Sequence, residues 1–293
     1  MMIFIFIPIF SGLLNSICDV LCKVYIKRNE RYSDSFFVLF LRWFLSLPLL
    51  FPFLFWEPKI TITKDLIIIY IFSIPLEILA AVLYMESIKI SDLSFVSPFQ
   101  SLTPVFLLLT GFLFLGERTT SLGFSGVFLI FVGGYIINLQ GRKFYEPILG
   151  LFKDRGVVLM CVTSIIYSIT VVFGKKATVM TNPEFFGSSY MYVMTAAMLP
   201  SFIKRYGRMG IKELFNIDKI KIGIGLTMLA SVLTHFIALK YIPTSYMISL
   251  KRTSILFAVI LGRIFLDEGN LRKRLIGAVF MLSGAMIISF SYV

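Results

Sequence analysis

Ten stretches of this chain are long and apolar enough to cross a lipid bilayer: 3–24, 35–56, 66–88, 93–115, 121–139, 157–177, 184–203, 220–240, 244–266 and 274–292. A span takes about 20 mostly apolar residues, and inside hydrocarbon every backbone N–H and C=O must be satisfied within the protein. The segments, numbered here as spans one to ten, are therefore predicted as helices, and the chain as an all-α membrane protein. Composition supports lipid as the solvent, since only 15% of the residues are charged, against roughly a quarter in soluble domains. Met2–Val24 has no basic leader and no A-x-A site, so it is expected to stay in the mature protein.

An internal repeat fixes the arrangement further. At an offset of 151 residues, Lys89 falls on Lys240, Ser94 on Ser245, Phe106 on Phe257, Gly111 on Gly262, Glu117 on Glu268, Gly126 on Gly277 and Gly133 on Gly284. Recurrent glutamates and glycines are hard to obtain by chance among Phe, Leu and Ile. Each copy holds five spans, an odd number, so the second copy enters the membrane upside down. The expected architecture is two inverted five-helix repeats, 1–140 and 157–293, joined by a linker at 141–156 and related by a two-fold axis in the membrane plane. Secondary transporters are commonly built this way, with the binding site near the midplane. Gly126/Gly133 and Gly277/Gly284 each lie seven apart on one helix face. Small residues there let helices approach closely in lipid, so they read as packing that joins the halves.

Ile88–Ser94 (IKISDLS), followed by Pro98, Thr103-Pro104 and Leu115-Gly116-Glu117, resembles the EamA repeat of the drug/metabolite transporter superfamily. The second copy reads Leu239–Ser245 (LKYIPTS), Lys251-Arg252 and Leu266-Asp267-Glu268, with Ser249 and Ile255 where the first copy has its prolines. The resemblance implies a ten-span transporter with a cavity among spans three, four, eight and nine, and both termini in the cytoplasm. Relatives are similar in fold yet carry amino acids, nucleotide sugars, phosphorylated sugars or drugs. The seven-spaced glycines resemble those on the last helix of the small multidrug-resistance proteins.

Charge at bilayer depth is costly and usually functional. Asp19, Arg42, Glu77, Lys251 and Arg252 stand out; Glu117 and Glu268 read as fold markers at helix ends, and Arg263 can snorkel to the interface. Lys251 and Arg252 fall on Gln100 and Ser101 of the first copy. A guanidinium grips a carboxylate or phosphate bidentately and an ammonium adds a point charge, and a Lys-Arg pair in span nine also resembles the triose-phosphate translocators. The competing reading ties both cations to Asp19 and Glu77 as links between helices. Tyr70, Glu77 and Tyr84 share one face of span three, which suits a cavity wall with an acid that exchanges a proton; an ion pair of Glu77 with Arg42 is the alternative. Pro98 and Pro104 break span four, making it, with Gln100 and Thr103, a candidate wall; Tyr167, Tyr190 and Tyr246 are further candidates. The substrate-binding set is Lys251, Arg252, Gln100, Glu77, Arg42, Asp19 and Tyr84. The five charges sum to one positive, which favours an anion or a zwitterion held by its carboxylate.

The net charge of +12 does not indicate nucleic acid, because the basic residues sit in short runs between spans, such as Arg272–Arg274, as topological bias does. That bias puts both termini outside the cytoplasm, opposite to what the resemblance implies. Cys18, Cys22 and Cys161 lie inside apolar segments and read as packing. The single histidine, His235, has no ligand motif beside it, so neither metal nor cofactor is expected. With no catalytic cluster and no phosphate-binding loop, the chain is not expected to be an enzyme or an ATP-driven pump. The expected function is secondary transport by alternating access, with a small metabolite, the lipid bilayer and a coupling proton or counter-substrate as partners, in a multi-pass protein of the plasma membrane. The alternative is a lipid-handling or structural protein without a solute path. A polar cavity reaching Lys251 and Arg252 would argue against it.

Overall fold

The computed structural model describes residues 2–55, 62–115, 121–137, 153–241, 247 and 250–290. Its helices are α1 (Met2–Arg28), α2 (Ser35–Phe44), α3 (Leu47–Leu50), α4 (Lys64–Ile90), α5 (Leu93–Val96), α6 (Leu102–Leu115), α7 (Ser121–Ile137), α8 (Arg155–Met180), α9 (Pro183–Phe215), α10 (Lys219–Tyr241), α11 (Ser254–Leu266) and α12 (Leu271–Phe290). Among the described residues no strand occurs, as expected of an all-α membrane protein. Among the described residues, four helical stretches, Phe6–Arg28, Ser35–Phe55, Lys64–Ile90 and Arg155–Thr178, are by length and composition able to cross a membrane. Phe124, Phe128 and Phe131 on α7 are exposed, an outer face made for lipid.

Helix starts follow local chemistry. Thr63, Asp154 and Asn182 accept the backbone N–H of Leu66, Val157 and Phe185 as N-caps of α4, α8 and α9, which satisfies donors that a helix start leaves open. The stretch 204–219, which the span boundaries leave between spans seven and eight, is mostly helical: α9 runs on through Gly207, whose φ of +55 redirects the chain, to Phe215. The reason is packing at its base. Tyr206 packs edge-on to Phe37 and tilted against Phe202 and donates to Asp34; burial, with that carboxylate beside it, raises its phenol above the ordinary range. The linker, apart from its last residues 153–156, and Glu117 lie outside the described residues.

Spans four and nine are broken. In span four a tight 3-10 turn, Ser97–Ser101, separates α5 from α6, because Pro98 and Pro104 remove donors and Pro104 would clash with the turn before it. In span nine the backbone N–H groups of Thr253 and Ile255 reach three residues back, to Leu250 (3.1 Å) and Arg252 (3.0 Å), where α11 begins. The second break has no proline. Across the repeat boundary Ser16 donates to the Ser254 carbonyl at 2.7 Å, and Ser164 donates to the Phe99 carbonyl at 3.2 Å beside the first break.

The two copies are inverted, and the glycines make this visible. A Cβ on Gly126 would stand 2.6 Å from the Gly284 carbonyl oxygen, and one on Gly133 would stand 2.6 Å from that of Gly277. Numbers rise along α7 as they fall along α12, so the helices are antiparallel. Exchanging each glycine for its repeat counterpart returns the same contacts, which is the signature of a two-fold axis between them. The other pairings obey the same exchange: α1 packs on α10 and α8 packs on α4. Ser11 donates to the Ser231 carbonyl at 2.9 Å, and Thr163 to that of Ala80 at 3.4 Å.

One membrane face is sealed by charge. Glu268 accepts the backbone N–H of Leu93 and Ser94, both at 2.8 Å, and so caps α5 from across the repeat boundary. It also meets Lys23 at 3.2 Å and Arg274 at 3.7 Å, and Arg274 pairs with Asp92 at 2.7 Å. Arg263 at the end of α11 pairs instead with the exposed Asp267 at 2.9 Å.

Candidate functional site

The breaks in spans four and nine lie opposite each other, and the chain between them carries the site. Arg252, at the second break, donates to Gln100 Oε1 of the first at 2.8 Å. Gln100 Nε2 donates to the Tyr84 hydroxyl at 3.2 Å, and Tyr84 donates to Asp19 Oδ2 at 2.5 Å. Asp19 Oδ1 accepts from Arg42 at 2.7 Å, and Arg42 also donates to Asn15 at 2.8 Å. A single hydrogen-bonded chain thus runs from Arg42 to Arg252 through five of the sequence candidates' side chains. It fixes the rotamers of the groups at either end, as an organised site requires.

This chain borders a cavity of about 460 Å³. Arg42, Glu77, Tyr84, Gln100, Lys251 and Arg252 line it, as do Tyr167 and Tyr190. Asp19 does not reach it and stands behind the wall as the acceptor that orients Arg42 and Tyr84. Tyr70, expected on the same face as Glu77, bonds Ser189 at 2.7 Å and packs on Phe186 and Tyr190 instead. Thr103 is buried away from the cavity, so Gln100 is the contribution of span four. Tyr246 lies outside the described residues. Spans one, two, six and seven also contribute walls, beyond the four implied by the resemblance; five and ten, held to each other by their glycines, do not. Trp43, Phe186, Met191, Met194 and Met228 give part of the wall an apolar, adaptable surface. Wall residues on α8 and α9 run from Tyr167 to Thr178 and from Phe186 to Met194. The cavity therefore extends from the midplane toward the face that carries the turn between those helices, opposite to the Glu268 seal.

Two sequence alternatives are resolved by geometry. Arg42 is paired with Asp19, so the ion pair with Glu77 is not formed. Glu77 stands in the wall with Thr170 and Lys251 as its electrostatic neighbours. Nor do Lys251 and Arg252 tie helices through Asp19 and Glu77: among the described residues no carboxylate comes within 4.0 Å of either. Arg252 Nε is buried without a partner. Lys251 Nζ lies 3.1 Å from His235 Nδ1. His235 was passed over in the sequence because no second ligand-type residue stands near it; the offset of the repeat, which puts it on Tyr84, was the available signal. A deep cation without a counter-ion costs several kcal/mol. Once the Arg42–Asp19 pair cancels, the wall keeps two cations and one acid. It can hold an anion against the cations, with its apolar part on the methionines and aromatic rings.

Among the described residues no group of three or more His, Cys, Asp and Glu side chains is placed to hold a metal ion.

The family model of the EamA-like transporter family matches the chain twice, over residues 6–139 and 154–290. No curated protein matches it. One solved crystal structure superposes with a TM-score of 0.58 over 96% of this chain and 97% of its own length, at 11% sequence identity. A likeness at that identity is one of fold.

Proposed function

We propose that this chain, which belongs to the EamA-like transporter family, is a secondary transporter that carries a small organic anion, or a zwitterion held by its carboxylate, through the bilayer by alternating access. One observation supports the choice of substrate: Lys251 and Arg252 line the cavity, and among the described residues no carboxylate lies within 4.0 Å of either. At an effective dielectric near 20, unit charges about 4 Å apart interact by roughly 4 kcal/mol, so such a wall favours an anion and repels a cation. Gln100 would hand Arg252 over to the arriving group, and Trp43, Phe186 and the methionines would hold its apolar body. In this reading Lys251, Arg252, Gln100, Arg42 and Tyr84 contact or orient the substrate, Asp19 holds Arg42 in place, and Glu77 stands where a zwitterion's amine could reach. A lipid-handling or structural role would not call for this cavity. The proposed setting is a plasma membrane crossed several times.

The test is uptake into proteoliposomes from a panel of anionic, zwitterionic and cationic solutes, with binding measured on the purified protein. Arg252→Ala should cost on the order of 2–5 kcal/mol of anion binding, and Arg252→Lys should recover only part of it for want of the planar fork. Unchanged affinity in both variants, or a preference for a quaternary amine, would overturn the reading.

A further inference from the structure

The contact between Lys251 and His235 has a counterpart in the other copy. The offset that relates the repeats puts Lys251 on Gln100 and His235 on Tyr84. Lys251 Nζ lies 3.1 Å from His235 Nδ1, and Gln100 Nε2 lies 3.2 Å from the Tyr84 hydroxyl. One side-chain contact is built twice, once from groups that stay neutral near neutral pH and once from two that titrate.

A hydrogen bond needs an acceptor. An ammonium and an imidazolium are donors only, so the 3.1 Å contact holds at most one of the two groups in its charged form. The surroundings oppose a second charge as well. Arg252 and Arg42 face the pair as cations and Asp19 and Glu77 as acids, but Asp19 is already bound to Arg42 at 2.7 Å. The phenols of Tyr84, Tyr167 and Tyr190 also line the wall. An empty cavity therefore holds the pair one proton short of full charge, and the missing element is an anion.

We propose that Lys251 and His235 form a proton-binding site that takes up one proton with each organic anion the cavity admits. The proposal rests on the reading of the cavity as an anion site. As the anion enters, Lys251 turns its ammonium to the anion's oxygens and uncovers His235 Nδ1. That nitrogen takes a proton from the water on the side to which the cavity is open, and the pair passes from one positive charge to two. A monoanion and its proton then cross together without net movement of charge. On the far side the anion leaves, Nδ1 gives up its proton to water, and the Lys251–His235 hydrogen bond forms again.

The chain has a single histidine, so histidine-selective isotope labelling of the full-length protein reads His235 alone by NMR. Benzoate serves as the probe, an organic monoanion ionised throughout the range used, and its binding is read from Trp43 fluorescence in a Trp56→Phe background. The expected result is a neutral imidazole with a bare Nδ1 in the empty protein near neutral pH, converted to imidazolium by saturating benzoate. Benzoate affinity should rise about tenfold for each pH unit of acidification, and His235→Gln and His235→Asn should both abolish that slope. Imidazolium in the empty protein, or a neutral ring in the benzoate-bound protein, would overturn the proposal. So would a slope that survives in His235→Gln and vanishes in Glu77→Gln, which would move the proton to Glu77. A cavity that answers to no anion in the panel removes the anion reading itself, and this proposal with it.

Discussion

Glu268 gives the most demanding test of how the halves are held. Its carboxylate caps two backbone donors of α5, accepts from Ser94 and neutralises Lys23, all from the turn after α11. Glu268→Gln keeps the shape and removes the charge. Breaking a buried pair by removing one partner costs about 3–5 kcal/mol. Lys23 would still donate to the Ser91 carbonyl and Arg274 would keep Asp92, so the lower end, ~3 kcal/mol, is expected. For a chain of this size that lowers the melting temperature by about 6–12 °C. The measurement is thermal unfolding of purified protein in nanodiscs, run as a cycle with Lys23→Met. In the double variant no charge is stranded, so most of the loss should return, as coupled neighbours require. A melting temperature unchanged in Glu268→Gln, or a double variant worse than both singles, would refute the account of Glu268 as the shared cap and counter-ion of the seal.

Two further outcomes follow from the same geometry. Gly133→Ala puts a Cβ 2.6 Å from the Gly277 carbonyl oxygen, whereas Gly134→Ala on the same helix meets Phe99 at an ordinary 3.6 Å; the first should cost about 1–3 kcal/mol and the second almost nothing, and equal melting temperatures would remove the glycines as the contact between halves. Glu77→Gln takes a carboxylate from the wall, so benzoate binding should tighten several-fold while binding of zwitterions weakens, and parallel changes for both ligand classes in titrations on purified protein would show that Glu77 does not face the substrate.

What could be read from the sequence were properties of single segments and of their repetition. Span positions, the inverted duplication and the glycine contact depend on periodicity and spacing alone, and residues such as Gly126 and Gly284 carry those signals on their own. Partners are another matter. Arg42 had two acids at comparable depth on neighbouring spans, and the choice of Asp19 over Glu77 depends on how α1, α2 and α4 are rotated about their axes, which no one-dimensional pattern encodes. Glu268 was legible as a helix-end marker, but its role as a cap for α5 requires knowing that the turn after α11 meets the start of span four. The cation Lys23, buried against it, was not singled out because it sits at the end of an otherwise ordinary span. The length of α9 was missed for the opposite reason: a basic stretch reads as a loop until Tyr206 is seen to anchor it in aromatic packing.

The two breaks show how an asymmetric site arises in a symmetric frame. Span four breaks because its prolines forbid a continuous helix. Span nine breaks at the equivalent place without one, where Arg252 and Thr253 turn the backbone and Ser16 donates to the Ser254 carbonyl from the other repeat. The break therefore belongs to the packing of the repeat, and proline is one of two ways to satisfy it. Sequence at the second break is thereby released from a structural demand. Where the first copy has Gln100 and Ser101, the second carries Lys251 and Arg252, and the frame tolerates them because the cavity, not the lipid, receives their charge. Equivalent backbone thus supports different chemistry: Gln100 offers an acceptor, Arg252 a donor, and their 2.8 Å bond joins the copies across the axis. An anion that displaces Gln100 from Arg252 would act on both repeats at once, at the place where a rocking motion between them would be felt first.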